Sequence, residues 1–298
     1  MARHRSKSAM DPRVCAASAA VALVVVAVVV VLSLFGGTET APEPSGPQIP
    51  DDMVLVNDLY EGERLAPKFD IALNTYDTSQ FVAQGDFLTY DGAVMGVDVS
   101  EHQGTIDWQA VKGAGMEFAI LRIGYRGMTE GLLNLDATFE ENYQGALDAG
   151  LKVGVYFFSQ AVTEEEAKEE ADFVLEALNG RELSYPVVFD WETPIPSQDL
   201  PAEDLRAYNM SGEEVTRFAK AFCQRIEESG RKACVYTNKH MAYNAFNLEE
   251  LKDYPLWYAE YQPAPSLYYS FRIWQYSASG TVPGISGSVD LNLCFEPY

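Results

Sequence analysis

Residues 93–298 are predicted to form an α/β barrel closed by eight strands. Three observations lead there. Short runs rich in β-branched and aromatic residues alternate with amphipathic helical segments at the spacing of βα units, which argues for a parallel sheet. After Tyr254 the helices stop, yet three more strand-like runs follow, separated by turn residues. Five βα units and three bare strands make eight, the number that closes a barrel.

In order, the strand candidates are VMGVDVS (94–100), FAILRIGY (118–125), KVGVYFFSQ (152–160), YPVVFDWE (185–192) and KACVYTN (232–238), followed by LWYAEY (256–261), FRIWQYS (271–277) and VDLNLCF (289–295). Helical segments lie near 107–114, 136–149, 163–179 and 211–229. Two of them open on the capping-box pattern, Thr163 with Glu166 and Ser211 with Glu214. Gly150, Gly180 and Gly230 stand where helices should stop. An open doubly wound sheet is the alternative, but no glycine-rich phosphate loop follows the first strand. No internal repeat is present.

The N-terminal third reads differently. Residues 1–13 are a basic tail, and Val14 to Phe35 is a 22-residue run without a charge. As a helix it spans about 33 Å, close to the ~30 Å hydrocarbon core of a bilayer. With its basic flank N-terminal, it reads as an uncleaved transmembrane signal anchor that leaves the tail in the cytoplasm and exports the rest. A long cleaved signal peptide, giving a secreted protein, is the rival, although no clear A-x-A-like site follows. Residues 36–50 hold three Gly and four Pro. They form an extended tether of about 46 Å if polyproline-like throughout. Residues 51–92, with mixed charges and scattered aromatics, are expected to be an ordered stalk or an N-terminal appendage.

Composition narrows the function. The chain carries 21 Lys and Arg against 44 Asp and Glu, a net charge of −23. The first 35 residues are net positive, so everything after the apolar run is more acidic still. Such a surface is repelled by phosphate backbones, which excludes a nucleic-acid partner. With three His, four Cys and no CxxC, a structural zinc site is not expected. A carboxylate cluster can also bind Mg²⁺ or Ca²⁺, but without convergent His or phosphate-binding features no metal or cofactor is expected. Cys15 lies at the edge of the apolar run. Of Cys223, Cys234 and Cys294, one pair could bridge, and three structural thiols is the default.

In a β/α barrel the active site lies at the C-terminal ends of the strands. Asp98 is late in the first strand, Asp190 and Glu192 end the fourth, and Asp290 lies in the last. Tyr125, Tyr156, Phe158, Tyr236, Trp257, Glu260, Trp274 and Gln275 accompany them, as groove residues or as core. The Asp190–Glu192 pair is the sharpest signal, because residues i and i+2 of a strand face the same side. Two carboxylates about 6 Å apart repel by about 2.8 kcal/mol at an effective dielectric near 20. One is driven toward its neutral form and can donate a proton; the other stays ionised. That division of labour is what glycoside hydrolysis needs. An isolated DxE at a strand end is more often a solvated terminus. Here VVF precedes it in a strand that should be buried, and Asp98 and Asp290 can converge on the same mouth. His102 is either a hydrogen-bonding partner near Asp98 or a plain loop residue, and His240 is a surface or helix-cap residue. The run Glu164, Glu165, Glu166, Glu169, Glu170 is a solvated helix start favoured by the helix dipole.

GVDVSEHQGTIDW, FAILRIGYRG, DAGLKVGVYFFS, YPVVFDWE, VYTN, LWYAEY and IWQYSASGTVPGISGSVDLN, taken in that order, resemble glycoside hydrolase family 25, the muramidases. The resemblance runs from about Val94 to Phe295. It implies a distorted (β/α)5β3 TIM-like barrel, and hydrolysis of the β-1,4 bond between N-acetylmuramic acid and N-acetylglucosamine in peptidoglycan glycan strands. By motif it makes Glu192 the general acid/base, and Asp190 its partner toward the sugar's acetamido group. Asp98 and Asp290 complete the acidic cluster, and Tyr125, Tyr156, Phe158, Tyr236, Trp257, Glu260 and Gln275 line the groove. Many members carry Tyr-His-Phe where this chain has Tyr156-Phe157-Phe158, and an Asp in place of Glu260. A chitinase-like glycosidase and a non-catalytic wall-binding barrel are the alternatives. The fuller DxxDxDxE pattern of the former is absent, and all four acidic positions are intact, which disfavours the latter. The expected form is a monomer held at the cell membrane with its barrel facing the wall.

Overall fold

The computed structural model describes residues 49–298. The predicted tail, apolar span, most of the tether and Cys15 lie outside them. Among the described residues no helix is long and apolar enough to cross a membrane.

Eight strands close the barrel: β5 (Val94–Val99), β6 (Phe118–Arg126), β8 (Lys152–Ser159), β9 (Val187–Trp191), β10 (Ala233–Asn238), β11 (Leu256–Ala259), β12 (Ile273–Gly280) and β13 (Val289–Cys294). They run in the order β5-β13-β12-β11-β10-β9-β8-β6, and a β5–β6 pairing completes the circle. Seven are parallel, while β13 is antiparallel to both neighbours, β12 and β5. Residues at the mouth therefore come from the ends of the parallel strands and from the start of β13, where Asp290 lies directly opposite Asp98. The register of β6 is shifted between Arg122 and Gly124 against β8. Beyond the end of β5, it pairs with a short extra strand, β7 (Leu133–Leu135), which the sequence reading did not predict.

Alternation along the strands separates two apolar regions. Inward-facing Phe118, Ile120, Val188, Cys234, Trp257, Ile273 and Cys294 fill the barrel. The outward set packs under the helices. Phe118 stacks on Tyr185 at 4.5 Å to form the floor. Gly96 and Gly154 make that possible, since a Cβ at Gly96 would lie 2.4 Å from the Phe118 ring and one at Gly154 2.7 Å from Tyr185 Cβ.

The helices are α1 (Trp108–Gly113), α2 (Phe139–Asp148), α3 (Glu164–Leu178), α4 (Gly212–Glu228) and a short α5 (Lys239–Asn244). The first four stand within a few residues of prediction. Ser211 and Glu214 form the full capping box of α4. At α3 only half of the predicted box exists. Thr163 accepts from the Glu166 N–H. The Glu166 carboxylate, however, accepts from the Val162 N–H and pairs with Arg206 at 2.6 Å, and so does not turn back to the Thr163 N–H. Gly150, Gly180 and Gly230 follow the helices with φ of 78–81°, a region open to glycine at no steric cost. Cys223, Cys234 and Cys294 are free, buried thiols.

Residues 51–92 pack on the barrel. They hold two hairpins, β1 (Met53–Asp58) with β2 (Gly62–Pro67) and β3 (Val82–Gln84) with β4 (Phe87–Thr89). The last strands have no helices of their own, and this segment covers their outer face. Phe81 meets Trp274 edge-on at 5.2 Å, and Tyr76 stacks on Phe295 at 4.0 Å. The Tyr76 hydroxyl donates to the Phe271 carbonyl, and the Tyr276 hydroxyl accepts from the Leu88 N–H. Each ring removed from water contributes roughly 1.5–3 kcal/mol, so the appendage supplies the cover that helices supply elsewhere.

Candidate active site

A cavity of about 200 Å³ opens at the C-terminal ends of the parallel strands, and Asp98, Asp190, Glu192 and Asp290 all line it. Asp98, from β5, is the best-held of the four. Trp257 donates its indole N–H to Asn292 Oδ1 at 2.8 Å. An indole can only donate, so the carbonyl side of the Asn292 amide is fixed toward it and the Nδ2 side faces Asp98 Oδ2 at 2.7 Å. Gln275 is oriented in the same way. Its Oε1 accepts the hydroxyls of Tyr236 (3.2 Å) and Tyr261 (3.0 Å), and its Nε2 donates to Asp98 Oδ2 at 3.0 Å.

Oδ2 of Asp98 is thus satisfied twice, and Asp290, opposite Asp98 in the β5–β13 register, lines the same cavity. Burial and then the Asp290 charge hold Asp98 well above the usual carboxylate range, so Asp98 is the one of the two that keeps its proton. Burial pushes Asp290 up as well.

Asp190 ends β9, inward and 6% exposed, and its Oδ1 is buried with no hydrogen-bond partner. Burial, and then the neighbouring Glu192 charge, push its pKa far up; Arg122 opposes them. Glu192 follows directly on the same face. Burial and the charge of Asp290 raise it above the usual range, which suits a group that must hold a proton near neutrality.

Tyr156, Phe158, Tyr236, Trp257 and Gln275 also line the cavity. Tyr156 and Tyr236 each meet Trp257 at a steep angle, with centroids 6.0 and 5.0 Å apart. Two predicted groove residues are not brought in. Tyr125 lies beyond the register shift in β6 and carries the Arg122 guanidinium 5.0 Å over its ring. Glu260 instead pairs with Lys239 at 2.9 Å. Trp274 faces outward under the appendage. His102 approaches Arg122, with Nε2 3.5 Å from the guanidinium.

Two lining residues were not singled out from sequence, Arg122 and Tyr261. Arg122 donates to Asp136 Oδ2 at 2.7 Å and to Glu101 Oε1 at 2.9 Å. An arginine at an inward position within FAILRIGY was a usable signal, because a charge in a buried strand must find acids. Tyr261 gave none beyond its place after a strand.

A parallel-strand barrel with paired carboxylates on one strand and two more opposite has the architecture of a glycosidase. The model for "Glycosyl hydrolases family 25" matches residues 97–285, and the chain belongs to that family. It is 32% identical over 198 residues to the autolytic lysozyme of Clostridium acetobutylicum, a match covering 66% of this chain and 54% of that one. With lysozyme M1 of Streptomyces globisporus it shares 32% over 212 residues, covering 67% of each chain. The chain thus spans about half the length of the clostridial relative. The bacterial lysozyme structure from Streptomyces coelicolor superposes with a TM-score of 0.53 at 27% identity, over 68% of this chain and 93% of that one.

Proposed function

We propose that this protein is a muramidase that hydrolyses the β-1,4 bond between N-acetylmuramic acid and N-acetylglucosamine in peptidoglycan, with Glu192 as general acid/base. The observation that carries the reading is the orphan Oδ1 of Asp190 beside Glu192. A buried acceptor without a partner is costly, and the N–H of a sugar acetamido group is the donor it lacks. Docked there, the acetamido carbonyl turns toward the anomeric carbon. Its oxygen attacks that carbon while the glycosidic bond breaks and Glu192 protonates the leaving oxygen. Water, giving its proton to Glu192, then opens the cyclic intermediate with net retention. Asp98 keeps its own proton, while the charge of Asp290 helps Glu192 hold the proton it must donate. The family membership and the lysozymes it resembles support the substrate class.

In the same reading, residues 14–35 anchor a monomer in the cell membrane and 36–50 tether the barrel within reach of the wall. An acidic domain is not steered toward an anionic wall, so tethering supplies the local concentration. Topology of this kind suits remodelling of the producing cell's own wall. Secretion after signal cleavage is the second reading, and sequencing the N-terminus of the mature protein separates the two.

The test is digestion of purified peptidoglycan by the full chain and by Glu192→Gln, with new reducing ends identified by mass spectrometry. Muramic-acid ends, falling by about 100-fold or more in the variant, are expected. No release by the wild type, or equal release by both, refutes the assignment, and an inverted anomer by NMR refutes the acetamido route.

A further inference from the structure

The β1–β2 hairpin and the loop after β11 meet around one lysine. Lys239, the first residue of α5, stands directly after β10 at the mouth side of the barrel. Its Nζ lies 2.8 Å from Asp58 Oδ2, 2.9 Å from Glu260 Oε1 and 3.2 Å from Glu61 Oε1. The side chains of Asp58 and Glu260 are 0% and 8% exposed, so this is not a solvated surface pair. Ser266 joins the same cluster. Its hydroxyl reaches Asp58 Oδ2 at 3.0 Å and Glu260 Oε1 at 2.7 Å, and its N–H donates to Glu260 Oε2 at 2.6 Å. From the hairpin turn, the Tyr60 hydroxyl donates to the Ala264 carbonyl at 2.8 Å and accepts from the Ala264 N–H at 3.0 Å.

Loop 260–266 is therefore gripped at Glu260, Ala264 and Ser266 by groups that belong to the appendage or to Lys239. Between those grips sits Tyr261, which lines the cavity, remains 54% exposed and donates its hydroxyl to Gln275, the residue that in turn donates to Asp98. A half-exposed aromatic on an irregular loop has little packing of its own, and ordering such a loop costs conformational entropy. The ion cluster holds it in place. Removing the ammonium would leave three carboxylates facing one another, two of them nearly buried, and that repulsion would open the loop.

We propose that the N-terminal hairpin is a working part of the site, with Lys239, Asp58 and Tyr60 as positioning residues that fix Tyr261 on the cavity rim to hold the glycan strand. The inference rests on the muramidase reading for the identity of the ligand, and on the geometry above for the hold on the loop. Tyr261 acts on binding through its ring, and Tyr236 still orients Gln275 toward Asp98 when the Tyr261 hydroxyl is lost, so its support should appear mainly in KM.

The experiment uses the full chain with soluble glycan fragments of peptidoglycan. Lys239→Met is expected to raise KM about ten-fold and leave kcat within about three-fold, matching Tyr261→Ala. The double variant should be no worse than Tyr261→Ala alone, because both changes remove the same contact. Tyr60→Phe, a mild change at an exposed turn, should raise KM about three-fold and keep the proposal testable if Lys239→Met does not fold. Hydrogen exchange supplies a readout independent of turnover. The Ala264 and Ser266 amides should lose protection in Lys239→Met and regain it in Lys239→Arg. Unchanged KM together with unchanged exchange overturns the proposal, as does a fall in kcat alone or full additivity in the double variant. If the wild type does not cleave glycan at all, the muramidase reading fails, and the exchange result still decides whether the hairpin holds the loop.

Discussion

Replacing Asp190 by asparagine should make the protein more stable and less active at once. The carboxylate is 6% exposed and its Oδ1 has no partner. Leaving a buried acceptor unpaired costs about 1–3 kcal/mol. Glu192 lies on the same face of the strand, two residues on. Full repulsion at about 6 Å would be about 2.8 kcal/mol, of which only part is felt because the pair retains a proton. An amide of the same shape has no charge to desolvate, and its NH2 can face Glu192. The expected gain is about 2 kcal/mol at pH 7, or about 4–8 °C in Tm for a domain of this size. The pH dependence has a definite sign. Burial raises the pKa of Asp190 in the folded state, so the folded protein holds a proton that the unfolded chain releases. Wild-type stability from this group is greatest below the ordinary carboxylate range and falls as pH rises through the folded value. Asparagine does not titrate, so its advantage should shrink by more than half between pH 7 and pH 4. Thermal unfolding by calorimetry at both pH values, with turnover on peptidoglycan in parallel, reads both effects. Turnover should drop about 100-fold or more. A variant that is less stable at pH 7, or one whose gain is the same at pH 4, would refute the assignment of a buried, charge-burdened Asp190.

Two further predictions concern the support of the site and of the barrel. Trp257→Phe keeps an aromatic ring, although a smaller one, and deletes the N–H that orients Asn292. Stability should fall by about 1–3 kcal/mol, and with Asn292 free to turn from Asp98, the acid limb of the kcat/KM–pH profile should move upward; an unmoved limb would argue against the relay. Phe81→Ala strips the edge-on cover from Trp274. A loss of about 2–3 kcal/mol, read in denaturant, should come with faster proteolysis within 68–92, and a loss below about 0.5 kcal/mol would mean that the segment is not part of the core.

The barrel was legible because its two periods are clean. VVFDWE, FAILRIGY and KVGVYFFS announce strands, and the glycines after the helices mark where the chain turns. The carboxylates were legible because each stands near the mouth end of a strand, where the barrel turns it into one cavity. What could not be read depends on contacts between distant residues. The strands of 51–92 are short and carry mixed charges, and their reason to exist is Trp274, Phe295 and Tyr276, about 200 residues away. Glu260 looked like a groove residue because it follows a strand; only the position of Lys239 shows that its carboxylate is committed elsewhere. Arg122 is legible from its inward position in an otherwise apolar run, where a charge must find acids. At Thr163 the local rule was right for the hydroxyl and wrong for Glu166, since Arg206 arrives from another part of the chain.

The grip of the first hairpins on the last strands bears on how the domain comes to be folded. Hydrogen bonds donated by Asn74 and Tyr76 and accepted by Asp58 close over separations of 193, 195 and 208 residues, and Asn292 reaches Asp98 across 194. Contacts this remote in sequence form late and slowly. A chain emerging N-terminus first would carry Tyr76, Phe81 and Tyr90 uncovered until Phe271, Trp274 and Phe295 have followed. The same final strand, β13, that seals this surface also delivers Asp290 to the mouth. Closure of the barrel, burial of the appendage aromatics and completion of the acidic cluster are thus one event, and a partly made chain has neither a finished core nor an active centre.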